Sequence, residues 1–511
     1  MKKIINYIFT GLIALAFFTS CNKKLDLAPI SSIGDGNFWK TPEQFDAFVS
    51  GIHSRFRGHT SAFQALGELR SDIFGTEPGS AGTFTGEATQ GVERMWQQTL
   101  TLDAPGVSNF GGFYSNIVQL NLLIEKLNNT TVVTAANKSY YLGIAYGMRA
   151  YYYFQMTRAW GDVVIQTDVV TAIDVSNLAK PAAPASEVMT LIKSDIENSL
   201  TNYGADYSFK NTKSYWSKAA TQMLKGEVFL WTAQKGGGNA DATTALNALT
   251  DIQNNIPALA LQTSFSNVFA SNNKGNSEII FAIRNSLNES SLPFAGTFYP
   301  QTGLIANYYD SLGNRKFDVT QDNWGGLLRA PIPVSTFRKF NNLDSRKWFS
   351  IQPAYNSPAP GVYVIAGAFV KKYEGEQNQG SRVYTNDFPI YRFADLLLMK
   401  AEAKVLLSQS PATEINLVRV RAYGANYVSA VHAFPNQAID ADAKQALLQE
   451  RFYEFIFEGK RWHDLRRFGN SYVFQFTSVL PSEAYKVLWP IDRNSLTNNR
   501  ALTQTPGYPA F

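Results

Sequence analysis

Glu450, Glu454 and Glu458 recur at intervals of four in "QERFYEFIFEGKRWHDLRRFG". On a helix, that spacing lines three carboxylates along one face, where like charges cost about 0.2–0.5 kcal/mol per pair in an isolated helix. Such a row could supply an acid and a base. Arg451, Arg461 and Arg466 lie in the same stretch, however, and ion pairing across packed helices is the simpler reading. Asp395 and Glu402, seven apart in "YRFADLLLMKAEAKVLL", read the same way. A second acidic set lies in loop-like sequence: Asp72 with Glu77 or Asp322 could form the carboxylate pair of a helical glycoside hydrolase. His53, His59, His432 and His463 show no metal-ligand spacing, so surface or helix-packing roles are expected and no metal site. "KGGGN" at 235–239 lacks the phosphate-loop pattern and reads as a helix stop. No G-x-S-x-G elbow occurs.

Cys21 is the only cysteine in 511 residues, which excludes an internal disulfide. It follows a basic start (Lys2, Lys3), an apolar run from Ile4 to Phe18, and the small residues Thr19 and Ser20. The run is short for a bilayer span. The layout resembles a bacterial lipoprotein signal, with Phe18 where such signals usually carry Leu. Residues 1–20 are therefore expected to be a signal peptide and Cys21 a lipid-attachment site, with 21–40 a lipidated tether. One acyl chain holds a protein only marginally on a membrane and two or three hold it firmly. Net charge is +5, partly in the signal itself, and no basic block with interleaved aromatics points to nucleic acid.

The elements that must position these residues are mostly helical. Thr41, Pro42 and Glu43 form a helix start, followed by Phe45, Phe48, Val49 and Ile52 at helical spacing. Residues 71–112 are Gly-rich without apolar periodicity and read as a long loop region. Helices follow at "FYSNIVQLNLLIEKL", "SYYLGIAYGMRAYYYFQMTRAW", "ASEVMTLIKSDIENSL", "WSKAATQMLKGEVFLWTAQ" and "DATTALNALTDIQNN". Gly143, Gly147 and Ala150 share a face that lets a neighbouring helix approach closely. Residues 256–390 change character, with short β-like pieces such as "SEIIFAI" and "GVYVIAGAFVKKY". Long helices resume at 391–407 and 440–469, where Leu448, Phe452, Phe455, Gly459 and Trp462 make a core-facing stripe. The tail, 470–511, reads as Pro- and Asn-rich coil.

"YRFADLLLMKAEA", "ERFYEFIFEGKRWHDLRRFG", "GMRAYYYFQMTRAWGDV" and "LWPIDRNSLTNNRALTQTPGY" together resemble the SusD/RagB family of outer-membrane nutrient-binding lipoproteins, and "CNKKLDLAPISS" resembles its mature N-terminus. Asp492 stands for a usual Pro and Thr505 for a usual Asn. The resemblance runs from Cys21 to Tyr508. It implies a mainly α fold: tetratricopeptide-like helix pairs as a scaffold, with long irregular loops and a small β-containing insert. Residues 41–511 would be one such domain, with scaffold at 113–255 and 391–469 and ligand-face loops at 71–112 and 256–390. It further implies no catalysis and no cofactor, an oligosaccharide ligand (or, within the same family, a peptide), and a SusC-like TonB-dependent transporter as partner. The location implied is the outer membrane, lipid-anchored and facing outward, although "NKK" replaces the acidic patch that often follows the cysteine.

Sugars present C–H faces to flat rings and hydroxyls to planar polar groups. On that basis the loops offer Asp72, Arg94 and Trp96 in the first Gly-rich region, Tyr299 with Tyr308 and Tyr309 in "GTFYPQTGLIANYYDSLG", and Asp322, Asn323, Trp324 and Arg329 in "TQDNWGGLLRAP". Glycan-binding relatives use aromatics from comparable loops, and Asp72, Trp96 and Trp324 look similarly placed. Trp324, between Asn and two glycines, is expected to be exposed.

Overall fold

A computed structural model describes residues 38–76, 84, 90–169, 179–313 and 315–511. The expected signal, Cys21, most of the tether and Glu77 lie outside the described residues. Among the described residues, no helix is long and apolar enough to cross a membrane.

Helix α1 (Pro42–Gly58) starts as its sequence demands: Pro42 needs no hydrogen-bond partner at the first position, and Gln44 Oε1 accepts from the Thr41 N–H at 3.2 Å. It buries Phe45, Val49, Ile52 and Phe56, while Phe48 is half-buried. After α2 (Thr60–Glu68), the scaffold runs through α3 (Phe110–Asn129), α4 (Ala135–Trp160), α5 (Ala185–Tyr203), α6 (Lys218–Thr232) and α7 (Gly238–Asn255). Each packs against the next, and α8 (Phe393–Leu406) continues the row from α7 to α9 (Ala412–Tyr423). Contacts between sequential neighbours are the mark of a helical solenoid. The small face of α4 is filled more by rings than by helix backbone. A Cβ on Gly147 would lie 2.2 Å from Trp216 Nε1, and one on Gly143 2.7 Å from the Tyr203 ring. Arg149 then locks α4 to α5 through both Asp195 oxygens, each at 2.7 Å.

The 256–390 insert leaves and rejoins the scaffold as one ribbon. Strand β1 (Ile279–Ile283) pairs antiparallel with β6 (Phe388–Arg392), and both are buried throughout. Between them lie the hairpins β2 (Ile351–Ala359)/β3 (Val362–Val370) and β4 (Glu376–Asn378)/β5 (Ser381–Val383).

The long helix expected over 440–469 is two helices, α10 (Ala443–Phe455) and α11 (Arg461–Phe468). The intervening turn puts Phe457 and Gly459 both at φ +70°. Its cause is α2. Glu68 accepts the N–H groups of Phe457 (2.6 Å) and Gly459 (3.0 Å), and Gly67 lies so close that a Cβ would sit 1.7 Å from Gly459 O. The hydrophobic stripe survives the break, since Leu448, Phe452, Phe455 and Trp462 are all buried.

The ion pairing expected of the glutamates holds, with different partners. Glu454 accepts from Arg346 (3.0 Å), Arg392 (2.6 Å) and Arg421; Glu458 from Lys372 (2.6 Å) and Arg392 (2.8 Å); Glu450 from Arg346 (2.7 Å) and Arg419 (2.9 Å). Arg451 instead pairs Asp464 (2.9 Å) and Arg461 pairs Asp72 (2.8 Å), while Asp395 takes Lys460 (2.7 Å) and Glu402 takes Arg467 (2.8 Å).

The tail is not loose coil. It carries short helices at Asn470–Phe476 and Arg493–Asn498, and Trp489 is fully buried. Trp489 N donates to Ala159 O at 2.8 Å, and the Trp160 indole donates to Pro490 O at 3.2 Å, pinning the tail to the end of α4. Asp492 caps the second of these helices through Ser495 N (3.0 Å), and Thr505 donates to Trp489 O (2.8 Å).

Candidate ligand-binding face

Three loops meet beside the scaffold. Gly75 N donates to Pro331 O at 3.0 Å, joining the chain after α2 to the segment around 329–333. The short helix Glu93–Trp96 adds Trp96 to this junction. Gly75, at φ +150°, passes beside the indole: a Cβ there would touch Pro333 Cγ at 3.6 Å and Trp96 Cδ1 at 3.8 Å. Ser478 Oγ, from the tail, donates to Trp96 O at 3.1 Å. Trp96 is half-buried, packed in part against the core. Arg94 is exposed, and its guanidinium has no partner among the described residues. Arg329 donates to Gln90 Oε1 at 3.1 Å, while its Nε is buried without a hydrogen-bond partner. A half-buried ring with an exposed guanidinium on the same loop and a second one bonded to that loop suits a ligand with C–H faces and many hydroxyl oxygens.

The other expected residues lie inside the protein's own packing. Trp324 is 4% exposed, contrary to the expectation of an exposed ring. It stacks on Tyr299 (centroids 5.3 Å apart, 21°), which stacks on Tyr384 (4.6 Å, 5°). The Arg382 guanidinium covers Trp324 at 4.2 Å. Of the two glycines after Trp324, Gly325 is exposed but Gly326 admits a neighbour: a Cβ on it would lie 2.0 Å from Tyr299 O. Tyr299 is fully buried, and its hydroxyl donates to Tyr373 O at 2.5 Å. Tyr308 is buried against Phe84, and Tyr309 is half-buried edge-on to Tyr363 at 5.1 Å. Asp322 grips Arg315 with both oxygens (2.6 and 3.0 Å) and accepts Asp318 N (2.8 Å), so it shapes its own loop. Asn323 ties that loop to the β4–β5 hairpin through Gly380 O (2.9 Å) and Gln377 (2.5 Å).

Asp72 is spoken for as well. Arg461 (2.8 and 3.1 Å) and Lys339 (3.1 Å) hold both its oxygens. Burial pushes its carboxyl up, but these cations outweigh that and hold it at about 2. Trp348 presents a second ring that residue spacing did not single out. It is 44% exposed, with its indole N–H on Asn342 O at 2.9 Å and its ring edge-on to Phe337 at 5.5 Å. Its signal was present in "SRKWFS", a polar-flanked short helix. Among the described residues, no His, Cys, Asp and Glu cluster has the make-up of a metal site.

The sequence model described as the SusD family matches residues 339–477, and one described as starch-binding and associating with the outer membrane matches residues 72–225. Among solved structures, B. fragilis NanU superposes with a TM-score of 0.87 at 44% identity, covering 94% of this chain and all of that one. A SusD superfamily protein from Bacteroides vulgatus superposes at 0.84 with 41% identity, covering 92% of this chain and all of that one. The SusD-like protein P38 of Formosa agariphila is 26% identical across 99% of this chain and all of its own length.

Proposed function

The chain belongs to the SusD family, and on that premise we propose that it is a cell-surface lipoprotein that captures an oligosaccharide and hands it to a TonB-dependent outer-membrane transporter. The observation that carries this reading is Trp96, a half-buried indole on a loop junction, with exposed Arg94 two residues before it and Arg329 bonded to Gln90 of the same loop at 3.1 Å. Support for a glycan, rather than a peptide, comes from the match to a family described as starch-binding and associating with the outer membrane. Attachment through lipid on Cys21 is the companion proposal; it rests on the single cysteine following a basic and then apolar start.

The protein binds without cutting. A glycosidase needs a carboxylic acid that still holds its proton near neutral pH. Asp72, held at about 2 between Arg461 and Lys339, has none to give, and Asp322 is fixed by Arg315. Of the expected ligand residues, Arg94, Trp96 and Arg329 touch the sugar in this reading. Asn323 sits at the rim, and Asp72, Tyr299, Asp322 and Trp324 hold the loops in shape.

A glycan array on the purified protein, followed by calorimetry on the strongest hit, tests this. Trp96→Ala is expected to weaken binding about five- to thirtyfold, the loss of roughly 1–2 kcal/mol of ring contact. Retained affinity in Trp96→Ala, or sustained release of reducing ends from the bound glycan, contradicts the proposal.

A further inference from the structure

Away from the loop junction, a groove of about 560 Å³ opens between the start of α5, the end of α6 and α11. Its charges are unbalanced. Arg466, Lys235 and Lys193 line it, and no carboxylate does. Lys193 is partly neutralised by Asp241 at 3.3 Å, outside the lining. Asp162, also outside it, is spent on the N–H of Ala185 at 2.8 Å. Arg466 and Lys235 have no carboxylate partner among the described residues.

Arg466 is the unusual member. It is only 6% exposed, yet among the described residues one nitrogen alone is used: Nη1 donates to Arg158 O. Its neighbours in the core do better. Arg467 grips Glu402 and Asp464, Arg461 grips Asp72, and Arg70, which also lacks a carboxylate, spends its donors on Gln98 and on the carbonyls of Leu488 and Lys486. The Arg466 guanidinium lies 5.3 Å from the Trp231 ring centroid, and Lys235 Nζ lies 4.9 Å from the same centroid. Burial, with Arg70 and Arg158 nearby, pushes Arg466 down to about 9, and partial desolvation, with Arg466 nearby, lowers the otherwise exposed Lys235. Cations held this close without a counter-charge are destabilised until an anion joins them. Met189 and Leu488 add apolar wall, and the volume is that of a small-molecule site.

We propose that this groove binds the oxyanion group of a small acidic molecule, a carboxylate, sulfate or phosphate, between Arg466 and Lys235 beside Trp231. Guanidinium recognises such groups in a planar, two-pronged way, and the ammonium adds a point charge. The site is separate from the Trp96 face and does not depend on the glycan reading.

The test is calorimetry on the full-length protein with sodium sulfate, inorganic phosphate and sodium glucuronate, each against sodium chloride at matched ionic strength. Saturable binding of at least one of them is expected, weakened about tenfold or more by Lys235→Ala, abolished by Arg466→Gln, and unchanged by Trp96→Ala. Lys235 is exposed, so its variant keeps the fold even if Arg466→Gln does not. Binding of none of the three, binding indifferent to Lys235→Ala, or binding that Trp96→Ala removes overturns the proposal.

Discussion

At the scale of single residues, side-chain type was legible and side-chain employment was not. Asp72 has the chemistry of a sugar-hydroxyl acceptor, but Arg461 lies 389 positions away and claims it. That assignment predicts a pH signature. The folded carboxyl sits at about 2, below its ordinary value, so its stabilisation is complete above about pH 4 and is lost as pH falls through 2. Urea denaturation followed by circular dichroism should find Asp72→Asn less stable by on the order of 2 kcal/mol near neutrality. The gap should close toward pH 2, and a constant gap would remove Asp72 from its ion pair. Trp324 misled for a related reason. Flanking glycines read as exposure, whereas here a glycine makes room for Tyr299, from a segment 25 residues earlier. Trp96 is half-buried, and Gly75 passes beside both its ring and Pro333, which lies 237 positions further along the chain, so this junction too is tertiary rather than local.

At the scale of elements, periodicity located the helices well, because each buries a stripe of its own sequence. It failed at 456–460, where apolar spacing continues through a turn. The determinant there is tertiary: α2 brings Gly67 against Gly459 and Glu68 against two backbone N–H groups. Gly67→Ala is therefore expected to destabilise the protein by about 1–3 kcal/mol, as overpacking does, since the added methyl meets backbone that cannot rotate away. Gly51→Ala, which meets nothing within 4 Å, is the control and should be neutral or slightly stabilising. Equal stability of the Gly67 and Gly51 variants would refute the close approach. The tail was misread as coil for the same reason: its order comes from contacts with Arg70, just past α2, and with α4, not from its own pattern.

At the scale of the whole molecule, the buried charges join the insert to the scaffold. Glu454 on α10 meets Arg392 at the end of β6, Arg421 on α9 and Arg346 from the insert, and all four are buried. Glu454→Gln leaves three buried guanidinium groups short of one counter-charge, and a loss of about 3–5 kcal/mol is expected in chemical denaturation. A loss under about 1 kcal/mol would mean that the network is not what holds the insert. The acidic row was visible in the sequence; its partners were not, because each lies far along the chain or on another element. The insert matters for the proposed role, since Arg329 on it bonds Gln90 of the loop that carries Trp96. Hydrogen-exchange mapping of the protein with and without its best array-selected glycan tests this directly. Protection is predicted at 90–99 and 329–333 together, with the 157–193 and 466 region unchanged. Protection confined to other surfaces, or none under saturating glycan, would contradict the account.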